Sequence, residues 1–73
     1  MTTKEYIFKD NYVTVNGCNY DIYGSLFAGH IVRQTELNGD SLERQEEVFR
    51  LLNKFRNNPS YDRLTLLMNF VYN

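Results

Sequence analysis

Residues 40–57 read DSLERQEEVFRLLNKFRN, and this stretch carries the strongest periodicity in the chain. Leu42, Val48, Phe49, Leu52 and Phe55 fall on one side of a 3.6-residue repeat, with Leu51 at its edge. Glu43, Glu46, Glu47, Arg50 and Lys54 fall on the other. Acids gather at the start and bases at the end, as the helix dipole prefers. Asp40 or Ser41 can accept from the free N–H groups of a first turn, and Asp40 with Glu43 has the spacing of a capping box. Glu46 and Arg50 stand in the favoured (i, i+4) order. The stretch is expected to be an amphipathic helix with one face committed to a core.

The residues before it divide at Asn16-Gly17, which separates two alternating runs. Asn-Gly suits a two-residue hairpin turn, because both central positions need positive φ. That turn sets Val15 opposite Cys18, Thr14 opposite Asn19, Val13 opposite Tyr20 and Tyr12 opposite Asp21. One face then carries Val13, Val15, Cys18, Tyr20 and Ile22, and the other Tyr12, Thr14, Asn19, Asp21 and Tyr23. A one-residue slip would scramble the split between apolar and polar faces. A second turn at Asp10-Asn11 would add Tyr6 and Phe8 to the apolar face, giving a three-stranded meander. Residues 1–4 are polar and expected to fray.

Residues 24–40 read two ways. As a helix capped by Ser25, they align Leu26, Phe27, His30, Ile31 and Leu37. As a strand from His30, they alternate. Gly29 weakens a helix and Ile31-Val32 favours a strand, but the helical stripe is better filled, so a helix is expected. Asn38-Gly39 ends the element in either case. After the central helix, Asn57-Asn58-Pro59 breaks the chain. Ser60 can cap a last helix whose face is Leu64, Leu67, Met68 and Val71. The expected fold is α+β: an N-terminal three-stranded antiparallel meander packed against two or three C-terminal helices, with residues 1–73 as one small domain.

A chain of 73 residues buries roughly 60% of its extended surface, so its core is thin. Cys18 is the single cysteine and His30 the single histidine, which excludes an internal disulfide and a Cys/His zinc site. Association, as a homo-oligomer or with a protein partner, is the natural supplement to such a core. A net charge of −1 argues against non-specific binding to nucleic acid or anionic membrane, and equally against a DNA mimic. Residues 1–10 lack the apolar segment of a signal peptide, and no apolar run spans a membrane. With one unpaired cysteine, a reducing cytoplasm is the expected compartment. Tyrosine and asparagine are abundant, at six and nine residues. AT-rich coding produces that composition, and it suits a phage or mobile-element accessory protein.

Chemistry has little to stand on. Cys18 and His30 are the only nucleophile–base pair available. Cys18 falls on the apolar strand face beside a turn, where a small buried thiol is inert. The carboxylates of residues 36–47 read as a solvated helix face, and no phosphate-binding, dinucleotide-binding or metal-binding motif occurs. No catalytic residue, metal or cofactor is therefore assigned.

The last helix is wider in its apolar arc than one core stripe requires. Leu66, Phe70 and Tyr72 lie partly outside the stripe, and uncovered apolar surface marks interaction sites. The expected function is a small non-enzymatic protein-binding module, such as a regulator or inhibitor of a host complex. The alternative is a nucleic-acid-binding regulator that stacks bases on Tyr12 and Tyr23 and uses Lys54, Arg56 and Arg63 as a basic cluster.

Overall fold

Two tight turns set the sheet. In the structure, a computed structural model that describes residues 6–72, Asp10 and Asn11 have φ of 53° and 66°, and Asn16 and Gly17 have 52° and 84°. Both turns thus place consecutive residues in the left-handed region that Asn, Asp and Gly tolerate. The expected fraying of residues 1–4 lies outside the described residues.

Strands β1 (Tyr6–Lys9), β2 (Tyr12–Val15) and β3 (Cys18–Asp21) form an antiparallel sheet in that order. Helices α1 (Ser25–Asn38), α2 (Leu42–Asn57) and α3 (Tyr61–Tyr72) follow. The fold is α+β, a meander with three helices. The β2–β3 register pairs Val15 with Cys18, Thr14 with Asn19, Val13 with Tyr20 and Tyr12 with Asp21, as the Asn-Gly turn requires. The β1–β2 turn pairs Lys9 with Tyr12 and Phe8 with Val13.

The inner sheet face meets the helices through aromatic rings. Phe8 packs edge-on against Phe55 of α2 at 5.4 Å between centroids, and Tyr6 stacks on Tyr61 of α3 at 5.9 Å. Tyr6 also donates from its hydroxyl to Thr65 Oγ1 at 3.3 Å. Val13, Val15 and Ile22 are buried behind them with Phe27, Ile31, Val48, Leu52, Phe55, Leu64, Leu67, Met68 and Val71.

Cys18 departs from expectation: it is exposed. It shares the inner face by register, but it sits at the turn end of an edge strand, beside Gly17 and two exposed neighbours. β3 also stops at Asp21, where Asp21 Oδ1 accepts from the Tyr23 N–H at 3.0 Å and turns the chain.

The segment 24–40 is a helix. Its N-cap is Gly24 rather than Ser25, and no side chain caps it. Gly39 closes it in the left-handed conformation. Its buried row is Phe27, Ile31 and Thr35, at steps of four. Leu26 and Leu37, expected in the core stripe, are 78% and 72% exposed. Thr35 takes the buried position instead, and its hydroxyl is satisfied by the Val32 carbonyl at 2.7 Å.

α2 begins on Ser41, whose Oγ accepts from the Arg44 N–H at 3.2 Å. The capping box of Asp40 with Glu43 does not form, because Ser41 as cap places Arg44 at the closing position. Arg50 pairs with Glu47 one turn back, and not with Glu46. Only Val48, Leu52 and Phe55 of α2 are buried. Leu42 and Phe49, at the margin of the stripe, are 77% and 42% exposed. α3 starts as its sequence suggests, with Ser60 Oγ accepting from the Arg63 N–H at 3.2 Å just after Pro59.

Candidate interaction surface

The buried row of α3 is Leu64, Leu67, Met68 and Val71. The 3.6-residue repeat then sends the remaining apolar side chains to opposite flanks. Leu66 and Phe70, four residues apart, share one flank. Tyr61, Thr65 and Tyr72 share the other. Leu66 is 61% exposed. Phe70 is half-buried against the core, with the guanidinium of Arg44 over its ring. Leu66 and Phe70 therefore lie together, and Tyr72 does not join them.

Tyr72 belongs to a polar contact between three elements. Its hydroxyl lies 2.6 Å from His30 Nε2 on α1, and the Tyr20 hydroxyl of β3 lies 3.4 Å from His30 Nδ1. Two phenols thus bracket one imidazole. Burial pushes the Tyr72 phenol above its ordinary range, with Tyr20 adding to the shift. The Tyr20 phenol is raised too, by desolvation first and then by the neighbouring Cys18 thiol. The cluster ties the third strand to the first and last helices.

Of the residues named for nucleic acid, Tyr23 and Arg56 meet, but through groups committed to the fold. Tyr12 is exposed on the outer sheet face. Tyr23 lies past the end of β3, and its hydroxyl donates to the Arg56 carbonyl at 3.2 Å. Arg56 turns back over the β3–α1 connection, donating from Nε to the Ile22 carbonyl at 2.6 Å and from Nη2 to the Gly24 carbonyl at 2.9 Å. These bonds commit its planar donor fork to the fold. Lys54 is exposed and Arg63 half-buried near the α3 start.

The outer sheet face is a shallow depression lined by Ile7, Lys9, Asp10, Tyr12, Thr14 and Asn19. Thr14 Oγ1 donates to Asn19 Oδ1 across the strands at 2.9 Å. Ile7 is the largest apolar group there, at 64% exposure. Among the described residues, no group of three or more His, Cys, Asp or Glu side chains is placed to hold a metal ion. Nor is any helix among them long and apolar enough to cross a membrane.

Sequence reasoning missed the exposed set Leu26, Leu37, Leu42 and Phe49. Each fits a hydrophobic stripe, and only the i, i+4 spacing of Phe27, Ile31 and Thr35 could have signalled a narrower buried row on α1. Comparison with family models, with curated proteins and with solved structures finds no match to the chain.

Proposed function

We propose that the chain is a small non-enzymatic protein-binding module that contacts its partner through the helical layer, with Leu66 and Phe70 at the centre of the contact. A single observation carries this reading. The helices hold large apolar side chains in solvent at Leu26, Leu37, Leu42, Phe49 and Leu66, while the buried core closes without them. Scattered exposed leucines are ordinary. Here five large apolar side chains stand in solvent on three helices, and binding covers such surface at a gain of about 25 cal/mol per Å² before association costs. Leu66 is the favoured anchor because Phe70 widens its apolar flank. Tyr72 supports α3 from the opposite flank, by its bond to His30. The composition suits a regulator or inhibitor that acts by occupying a host complex.

Two further observations weigh against the nucleic-acid alternative. Arg56 and Tyr23 spend their hydrogen-bonding groups inside the fold. Lys9 on the outer sheet face is accompanied by Asp10 and, across the strands, by Asp21.

The test is affinity capture of the wild type and of Leu66→Glu, with light scattering to report self-association. Leu66 is exposed, so its charge substitution leaves the core intact, which Phe70→Glu would not. The reading expects one protein partner, or a second copy, that is lost in the variant and retained at raised salt. Retention by Leu66→Glu at full affinity would overturn the assignment of this flank. Capture of nucleic acid with steep salt dependence would favour the alternative.

A further inference from the structure

The chain contains two Asn-Gly bonds, Asn16-Gly17 and Asn38-Gly39, whose reacting groups are held in opposite ways. An asparagine followed by glycine has an unhindered route to self-reaction. The glycine main-chain nitrogen attacks the side-chain amide carbon and forms a new C–N bond. The amide nitrogen departs as ammonia, taking the proton that the glycine nitrogen gives up. Water then opens the resulting succinimide at either carbonyl, leaving aspartate or isoaspartate. Water is the only co-reactant.

At residues 38 and 39 both reacting groups are engaged. Asn38 Nδ2 donates to the Val71 carbonyl at 2.6 Å, and its Oδ1 accepts from Gln34 Nε2 at 2.9 Å. The nucleophilic nitrogen, Gly39 N–H, donates to the Glu36 carbonyl at 3.1 Å. Succinimide closure there requires three hydrogen bonds to open together. At residues 16 and 17 neither group is held by any of the described residues. Both residues are exposed, and the Asn16 amide and the Gly17 N–H make no hydrogen bond within the described residues. They occupy the central positions of a two-residue turn, outside the pairing between strands.

We propose that Asn16 is a site of spontaneous conversion to isoaspartate, and that Asn38 is shielded from the same reaction by its bonds to α3 and α1. Conversion adds a methylene to the main chain inside the turn and a negative charge beside it. The Val15–Cys18 pairing depends on a two-residue loop, so the β2–β3 register is what the modification loosens. The loss then reaches the Tyr20–His30 contact at the third residue of the β3 arm.

The test follows both asparagines in one sample. The full chain is incubated in warm, mildly alkaline buffer, then digested and mapped by mass spectrometry, with isoaspartate measured by enzymatic methylation. In the native protein, conversion at Asn38 is expected to be at least ~10-fold slower than at Asn16, because its bonds must first open. In denaturant the two rates should converge. Asn16→Gly keeps a turn-compatible pair and should abolish the early acidic species on isoelectric focusing. Equal native rates at the two sites would overturn the proposal, as would an acidic species that accumulates in Asn16→Gly at the wild-type rate.

Discussion

The guanidinium of Arg44 lies 4.1 Å from the centre of the Phe70 ring, and its Nη2 donates to the Phe70 carbonyl at 2.8 Å. One side chain near the start of α2 thus covers an aromatic ring and satisfies a carbonyl near the end of α3. Asn38 of α1 does the same for the next carbonyl, that of Val71. The last turn of a helix leaves its carbonyls without partners in the helix, and here side chains from the two preceding helices supply partners for two of them.

Arg44→Ala should therefore destabilise the domain by about 1–3 kcal/mol, from the lost ring contact and the charged hydrogen bond. Arg44→Lys should recover little, because an ammonium cannot lie flat on the ring and reach the carbonyl with a second donor. Urea denaturation of the three proteins checks this. A lysine variant as stable as wild type would show that charge alone matters.

Gly17→Val should cost more than ~1 kcal/mol. A Cβ at Gly17 meets nothing within 4 Å, so crowding plays no part. The whole penalty comes from forcing a β-branched residue to φ of 84°. An unchanged denaturation midpoint would reject the turn geometry.

Gly29→Ala should stabilise by roughly 0.5–1 kcal/mol. Gly29 lies exposed in the middle of α1, at an ordinary helical φ, with open space where a Cβ would stand. α1 also lacks a side-chain cap, an acid in its first turn and a base in its last, so added helix propensity is not redundant. A midpoint that falls would mean the glycine serves a purpose the fold does not reveal.

Alkaline pH should weaken the fold through Tyr20 and Tyr72. Both phenols are raised above the ordinary 10.0, chiefly by desolvation. Folded tyrosines then keep protons that unfolded ones release, so the stability they contribute is whole below 10.0 and lost as pH rises through the folded values. Denaturation midpoints measured from neutral pH upward should start to fall near 10.0. Tyr72→Phe should be less stable at neutral pH, having lost the His30 bond, yet show a shallower alkaline decline.

The sheet was legible in the sequence because both turns announce themselves. Asp10-Asn11 and Asn16-Gly17 fix loop length, loop length fixes register, and register assigns Val13 and Val15 inward. The helices were legible as elements but less so as surfaces. Their ends followed from local chemistry, at Gly39, Ser41 and Ser60. Which leucines are buried depends on neighbours far along the chain. Leu26, Leu37 and Leu42 satisfy a helical stripe yet lie at helix ends and are exposed. Thr35 is buried although its type suggests the surface, because the Val32 carbonyl meets its hydroxyl. For the candidate site, periodicity could separate Leu66 and Phe70 from the core row. It could not show that Arg44 covers one of them, or that Tyr72 turns to His30.

Tyr6 brings the first strand to Tyr61 and Thr65, the latter 59 positions along the chain. The most extensive pairings join consecutive elements, β1 with β2, β2 with β3, and α2 with α3, while Phe8 on Phe55 and His30 on Tyr72 also bring distant parts of the chain together. Short loops close quickly and cheaply, and distant ones late. The hairpins and the α2–α3 pair should therefore assemble early and independently. Seating β1 on the last two helices, Phe8 on Phe55 and Tyr6 on Tyr61, is the event that closes the chain, so the slowest step of folding is expected to fall to two aromatics near its beginning.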